Sequence, residues 1–175
     1  VKDTFGVGVF LTVYLAIVFF LPELGGWFLE KDNFNPADIL QTPPDIVPLW
    51  YLTPYYSILR AVTFEWLPGG AKLWGVIAMA AAIVIFFFLP WLDRSRVRSI
   101  RYRGWMYKTM LTLFAVTFVM LGYLGTKNPG HVDLIWFKNV TWAQIGLVIY
   151  FSFFLLMPIY TRLDRTYAEP DRLTK

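Results

Sequence analysis

The sequence contains no cysteine and only one histidine, His131. Without cysteine, the chain forms no disulfide, holds no thiolate-bound iron–sulfur cluster and attaches no c-type haem covalently. A haem held between two imidazoles needs two histidines, so this chain alone does not ligate one. His131 belongs to no recognisable motif. We expect it to be a solvated surface residue, and we expect no metal site.

Charged residues are also scarce, at 16% of the 175 residues, whereas soluble domains carry about a quarter. Apolar residues make up 57% of the chain, and the mean hydropathy is +0.51. Four apolar runs are long enough to span a bilayer, and Lys108 is the one charged residue within them: 4–21, 73–92, 105–124 and 140–160. Since a spanning helix satisfies its own backbone in lipid, the sequence predicts an all-α membrane protein with four transmembrane helices.

The distribution of lysine and arginine predicts the orientation. Eleven of the 16 basic residues lie at the N-terminus, in the segment 93–108 and at the C-terminal end. The positive-inside rule places these regions, and both termini, in the cytoplasm. The arginine-rich segment is interpreted as a topology signal that contacts anionic lipid and not as a nucleic-acid site. We expect a membrane region over 1–163 and a poorly ordered polar tail over 164–175.

A long outer loop, 22–71, separates the first two spans and contains the proline-rich stretch 42–60. Pro48 is suited to the first turn of a short helix that continues to about residue 62. Leu52, Tyr55, Tyr56 and Leu59 recur at three- and four-residue spacing, which predicts one apolar, aromatic face. We therefore expect an amphipathic helix at the membrane surface that covers an apolar space.

The stretch 42–60 reads Thr-Pro-Pro-x-Ile-x-Pro-x-Trp-Tyr-x-x-Pro-x-Tyr-x-Ile-Leu-Arg. It resembles the loop between the fifth and sixth helices of cytochrome b, the membrane core of the cytochrome bc complex. Further segments resemble the same family in the same order: Lys2 with Asp3, 72–76, 89–93 and 155–158. The resemblance implies the C-terminal half of a cytochrome b, helices five to eight.

The resemblance also implies a function in a quinol–cytochrome c oxidoreductase of a bacterial inner membrane. In this family, ubiquinol is oxidised at an outer pocket, and its electrons leave to the Rieske iron–sulfur protein and through two b-type haems to a quinone at the inner side. The haems would be ligated by the N-terminal half of cytochrome b. The other implied partners are a c-type cytochrome subunit and a second copy of the complex in a homodimer.

The same resemblance assigns an outer quinol site to seven residues: Pro48, Leu49, Tyr51, Tyr55, Tyr56, Val76 and Met79. Leu49 stands where the family usually has a glutamate that accepts a quinol proton, and leucine cannot act as a base. We expect a water chain, Asp45, Glu65 or a carboxylate outside this chain to take that role. The resemblance favours a pocket role for Tyr51 and contact with quinol or the Rieske protein for Tyr56, with anchoring at the membrane interface as the alternative for the tyrosines. Val76 and Met79 are equally suited to plain helix packing.

Five further residues have more than one interpretation. Lys2 and Asp3 border the inner quinone site by resemblance, but Asp3 is also suited to capping the first helix. Pro44 and Ile46 either shape the Rieske docking surface or merely form a turn. Arg60 is interpreted as a helix-dipole partner, or as a structural arginine with a carboxylate partner.

Two alternatives remain open at this point. The C-terminal subunit of photosynthetic bc-type complexes resembles the same region but has three spans, so the fourth run at 140–160 favours the respiratory form. A non-catalytic membrane scaffold or a small transporter is the alternative from another class. A transporter needs buried ionisable groups or broken helices in its spans, and the sequence predicts neither.

Overall fold

The computed structural model describes residues 2–24, 34, 36, 40, 47–66, 68–133 and 136–168. Within these ranges the chain is helical and contains no strand. The α-helices are α1 (Lys2–Phe20), α2 (Thr53–Ala61), α3 (Gly70–Val84), α4 (Leu89–Leu92), α5 (Trp105–Gly125), α6 (Asn139–Leu155) and α7 (Met157–Leu163), with 3-10 segments at Ile85–Phe88 and Ile100–Tyr102. The all-α membrane class predicted from the sequence is confirmed.

The chain divides into two compact units, Val1–Trp50 and Tyr51–Lys175. The first unit contains α1, a 19-residue helix with Asp3 in its first turn. Side chains along nearly all of α1 are exposed, and apolar residues occur on every side of it, as expected of a helix that contacts lipid or other spans.

The second unit is a bundle in which α5 packs on α6, and α2 packs on α3, α5 and α6. Aromatic rings from α5 and α6 form its centre. The Phe114 and Phe153 rings stack at 4.5 Å between centroids, and Phe154 meets Phe114 edge-on at 5.4 Å. Gly146 of α6 lies against the Leu121 side chain, which brings the two helices close together. This core fixes the three long helices on which α2 lies.

In the part of the chain that the structure describes, α1, the segment Gly70–Leu92 and α5 are long and apolar enough to cross a membrane. The sequence predicted one continuous α-helix over 73–92. In the structure the segment Gly70–Leu92 instead changes from α-helix to a 3-10 segment at Ile85. Pro90 has no N–H to donate to the Phe86 carbonyl. That carbonyl accepts the Leu89 N–H instead, and this bond spans three residues in place of four, as in a 3-10 helix.

The fourth predicted span, 140–160, is also broken, because α6 and α7 are bent by 57° at Leu156. Pro158 has no N–H for the Phe154 carbonyl, so a helical hydrogen bond is missing at the bend, while the Leu156 N–H donates to the Ser152 carbonyl at 3.0 Å. The buried Tyr160 hydroxyl donates to the nearby Phe153 carbonyl at 2.9 Å. Counted as one span, the pair is the fourth. The argument against a transporter from unbroken spans is therefore wrong.

At the end of the bundle opposite α2, two aspartates hold the start of α5. Asp93 is the C-cap residue of α4 and accepts a hydrogen bond from Arg103 Nη2 at 2.6 Å. Asp164 is the C-cap residue of α7 and accepts one from the Gly104 N–H at 2.8 Å. The Arg103 guanidinium also lies 4.2 Å from the Tyr107 ring centroid. The first turn of α5 is thus fixed by the ends of α4 and α7.

These contacts bear on two expectations, one about the arginines and one about the C-terminal tail. Arg103 is only 6% exposed and is a buried ion-pair partner, so it is not one of the lipid-facing arginines, whereas Arg94, Arg96, Arg98 and Arg101 are exposed. The tail predicted to be poorly ordered from residue 164 begins with the half-buried Asp164, and the Tyr167 N–H donates to the Tyr102 carbonyl at 2.8 Å. Residues 169–175 lie outside the described ranges.

Candidate functional site

The short helix α2 is the centre of the candidate site, and it begins five residues later than the sequence predicted. It runs from Thr53 to Ala61, with Pro54 and not Pro48 in its first turn. Proline is favoured there because the first N–H groups of a helix have no partner within it. Pro48 and Leu49 precede α2 in residues without helical structure.

The face that α2 buries also differs from the predicted one. The most buried residues are Thr53, Pro54, Ser57, Ile58 and Ala61. The predicted aromatic face, Leu52, Tyr55, Tyr56 and Leu59, is half-buried or exposed. Three of the five most buried residues, Thr53, Ser57 and Ala61, are small or hydroxyl-bearing, which suits a helix whose backbone approaches its neighbours closely. Ile58 is the large apolar side chain that α2 buries in the bundle.

Two glycines permit this close approach. A Cβ atom on Gly75 of α3 would lie 2.5 Å from the Leu59 carbonyl oxygen, and one on Gly125 of α5 would overlap the Thr53 carbonyl oxygen. A glycine therefore lies beneath each end of α2. The sequence reasoning passed over both, since neither stands out from the other glycines of the apolar runs.

Arg60, in the last turn of α2, binds the C-terminal end of α5. Its Nη2 atom donates to the carbonyl oxygens of Leu124 at 3.0 Å, Gly125 at 3.4 Å and Lys127 at 2.6 Å. These carbonyls lie where a helix exposes acceptors and negative partial charge. Arg60 thus contacts the C-terminal end of α5, whereas the sequence analysis considered the end of its own helix. Among the residues that the structure describes, Arg60 has no carboxylate partner.

Two amides at the start of α6 complete the polar contacts, and the sequence analysis missed both. Gln144 Nε2 donates to the Ala61 carbonyl at 3.2 Å and to the Thr63 hydroxyl at 3.0 Å. Asn139 is 1% exposed and donates to the Asn128 carbonyl and the Asp133 carboxylate, each at 2.8 Å. The signal available was a pair of amides at the end of an otherwise apolar run.

The tyrosines of the predicted site have different surroundings. The Tyr55 ring meets Phe118 of α5 edge-on at 5.8 Å, and burial raises the pKa of its hydroxyl above the usual 10.0. The Tyr56 ring lies 4.6 Å from the Arg60 guanidinium carbon, a cation–π contact within one helix. Tyr51 is 52% exposed, in the turn before α2.

Val76 and Met79 follow Gly75 on the first turns of α3. Val76 is 50% exposed and Met79 is half-buried. Since Gly75 contacts Leu59, the structure brings this part of α3 against the C-terminal half of α2. The second unit thus places the start of α3 against α2, and the shared pocket stays a prediction.

The remaining predicted site residues belong to the first unit. Pro48 and Leu49 are half-buried there, and Lys2 and Asp3 are exposed on the first turn of α1. Pro44, Ile46 and the proposed acid Asp45 lie outside the described residues. Glu65, the other proposed acid in this chain, is exposed in the segment after α2. These roles stay predictions.

A small cavity beneath α2 has a volume of about 10 Å³ and is lined by residues of α2, α5, α6 and the loop between the last two, among them Ser57, Arg60 and Asn139. Arg60 Nε is buried beside it without a partner in the described residues. This volume suits about one water molecule and excludes a quinone ring.

The described residues do not fit a haem or a metal ion. No group of three or more His, Asp or Glu side chains is arranged to bind a metal in the described ranges. His131 is exposed in the loop after α5, as predicted, and two imidazoles are not available.

Comparison with known proteins adds three findings. The family model described as "Cytochrome b(C-terminal)/b6/petD" matches residues 36–151. The chain is 47% identical over 174 residues to a cytochrome b of Allochromatium vinosum, covering 99% of this chain and 40% of that protein. It is 43% identical over 157 residues to a cytochrome b of Rhodospirillum rubrum, covering 90% of this chain and 35% of that protein.

Among solved structures, a chain of "Hyperthermophilic respiratory Complex III" has a similar fold, with a TM-score of 0.72 and 31% identity. The likeness covers 93% of this chain and 37% of that one. The chain therefore spans less than half of the length of these relatives.

Proposed function

Because the chain belongs to the family of cytochrome b C-terminal regions, we propose that it forms the C-terminal part of the cytochrome b of a quinol–cytochrome c oxidoreductase. In this role it supplies one wall of an outer quinol-oxidation pocket and borders an inner quinone-reduction site. It works with an N-terminal cytochrome b half that holds two b-type haems, a Rieske iron–sulfur protein and a c-type cytochrome subunit, as a homodimeric complex in a bacterial inner membrane.

The observation that carries the proposal is the way in which α2 is held in place. This helix lies at the end of the bundle opposite the arginine-rich segment 93–108. It makes close contacts with Gly75 and Gly125, and Arg60 binds it to α5. A site wall needs such rigid support, since a pocket works only while its side chains hold their positions. The wall comprises Tyr51, Tyr55 and Tyr56, together with Val76 and Met79 on α3. Pro48 and Leu49 are assigned to the quinol site by resemblance to the family and not by their position in the structure.

Oxidation of a quinol releases two electrons and two protons, so the pocket needs proton acceptors. Leu49 supplies none, and the phenol of Tyr55 is a poor acceptor because burial holds its pKa above 10.0. We propose that the proton leaves through water or to a carboxylate from another part of the complex, with Glu65 and Asp45 as the candidates in this chain. Lys2 and Asp3 are proposed to bind quinone at the inner side, and Pro44 and Ile46 to dock the Rieske protein.

The bent pair α6–α7 is the one observation that favours a transporter, because broken spans often line substrate sites. Here the bend has a local cause in Pro158, and the carbonyl near it is satisfied by Tyr160 within the helix pair. Similarity to cytochrome b also extends over 99% of the chain. The bend is therefore better explained by packing than by transport.

The direct test is to purify the complex containing this chain and measure quinol-dependent reduction of cytochrome c. We expect activity that an outer-site inhibitor blocks. A complex with all its subunits and haems that does not reduce cytochrome c would contradict the proposal. In the same complex, Leu49→Glu tests the missing base. If the proton acceptor lies elsewhere, the pH dependence of the rate stays unchanged, whereas a large rise in rate would contradict that relocation.

A further inference from the structure

We propose that Arg60 is a positioning residue for Tyr56, and that it holds the Tyr56 hydroxyl in place for a hydrogen bond with the quinol. This assignment depends on the proposed function, because the orientation of Tyr56 matters only if α2 borders a quinol site. It goes further by giving a role to an arginine that would not itself touch the substrate.

The first step is that the guanidinium is fixed. Three carbonyl oxygens at the end of α5 surround Arg60 Nη2, and the shortest distance, to Lys127, is 2.6 Å. A positive charge is favoured at the C-terminal end of a helix. A long side chain that is free in water has many rotamers, but these contacts restrict Arg60 to one.

The second step is that the ring depends on the guanidinium. Tyr56 and Arg60 lie four residues apart on α2, and the guanidinium carbon is 4.6 Å from the ring centroid. The guanidinium group of an arginine is attracted to the electron-rich face of an aromatic ring and stacks on it. Since the Arg60 guanidinium is hydrogen-bonded to α5, the Tyr56 ring takes its orientation from α5 and not from α2 alone.

The third step concerns the hydroxyl. The ring is half-buried, and within the described ranges the Tyr56 hydroxyl forms no hydrogen bond with the protein. A half-buried ring offers little area to a partner protein, but its one polar atom suits a small molecule with oxygen atoms. A quinol has two such oxygens, and either one can bond with a phenol hydroxyl.

The test uses the purified complex and four variants: Arg60→Met, Arg60→Lys, Tyr56→Phe and the double variant Arg60→Met/Tyr56→Phe. Gln144→Met is the matched control, because Gln144 also binds a carbonyl of α2 but does not touch Tyr56. KM for quinol and kcat are measured for each, in preparations with unchanged subunit and haem content.

We expect Arg60→Met to raise KM about fivefold, the factor that corresponds to loss of a partly desolvated cation–π contact. Tyr56→Phe raises KM similarly, and the double variant raises it no further, since the arginine acts only through the hydroxyl. Arg60→Lys, which keeps a charge near the carbonyls but not the flat stack, gives a smaller rise. Gln144→Met leaves KM unchanged.

Several outcomes would overturn the proposal. Effects of Arg60→Met and Tyr56→Phe that multiply in the double variant would mean that the two act independently. An equal rise in KM for Gln144→Met would mean that Arg60 merely holds α2. A fall in kcat at constant KM would point to docking of a partner protein by Tyr56.

A readout without quinol separates this proposal from the proposed function. Fluorotyrosine at Tyr56 is expected to give a ¹⁹F resonance that shifts in Arg60→Met but not in Gln144→Met. An unchanged resonance in both variants overturns the stacking, whatever the activity. A shifted resonance in a complex that never oxidises quinol leaves the stacking intact and removes the proposed function.

Discussion

Substituting Asp93 is expected to destabilise the arginine-rich segment 93–108 much more than substituting its partner Arg103. The Arg103 side chain is 8% exposed and the Asp93 side chain is 27% exposed. Asp93→Ala leaves a buried guanidinium without its counter-ion, at a cost of about 3 kcal/mol. Arg103→Met leaves a carboxylate that still reaches water and still accepts the Ser95 N–H, at a cost of about 1 kcal/mol.

The assay is cleavage by trypsin at the exposed arginines 94, 96, 98 and 101, in membranes whose basic side faces the protease. When cleavage follows a rapid local opening, its rate reports the opening free energy. About 3 kcal/mol corresponds to an increase of about 100-fold for Asp93→Ala, and about 1 kcal/mol to about fivefold for Arg103→Met. The products are identified by mass spectrometry at a site that all variants share.

Arg98→Gln is the matched control, because it removes an exposed arginine from the same segment. We expect it to leave cleavage at the remaining sites within about twofold. If Arg103→Met accelerates cleavage more than Asp93→Ala, or if neither changes it, the argument from unequal burial is wrong. Cleavage only from the opposite side of the membrane would contradict the predicted orientation.

Three further predictions concern stability, measured by thermal denaturation of the purified complex. Gly125→Ala places a Cβ atom against the Thr53 carbonyl and is expected to cost about 1–3 kcal/mol, whereas Gly130→Ala has room and is expected to be neutral. Tyr150→Phe removes the 2.7 Å hydrogen bond to the Ala82 carbonyl, and we expect a loss of about 1 kcal/mol; no loss would mean that the carbonyl finds another donor. The raised pKa of Tyr55 means that its contribution to stability is complete below pH 10 and is lost as pH rises above it, so Tyr55→Phe is expected to lose less stability than wild type at high pH.

The sequence predicted the helical class and the positions of the apolar runs because twenty uncharged residues leave the chain few alternatives in lipid. It did not predict where those runs break. Pro90 and Pro158 were visible, but membrane helices often accommodate proline without bending, since neighbouring groups satisfy the freed carbonyls. The Tyr160 hydroxyl that does so at the second break is positioned by packing, which the sequence alone does not specify.

The α2 region was predicted less well, for a related reason. Periodicity assigned the aromatic residues to the buried face, whereas the structure buries Thr53, Ser57 and Ala61 beside Pro54 and Ile58. A hydrophobicity pattern measures preference for an apolar environment, but close packing of backbones selects for small size. The contacts of Arg60 were equally hidden, because its acceptors are backbone carbonyls 64 to 67 residues away, and any sequence could have provided them.

The bond between Gly104 and Asp164 joins residues that are 60 positions apart. During synthesis on the ribosome, α5 emerges before α7 does, so its first turn is at that stage held at most by Asp93. The contacts that hold the first turn of α5 are complete only when Asp164 has bound the Gly104 N–H. The third span therefore acquires its final contacts from the last one, and a nascent chain arrested after α6 would leave that turn without the Asp164 contact.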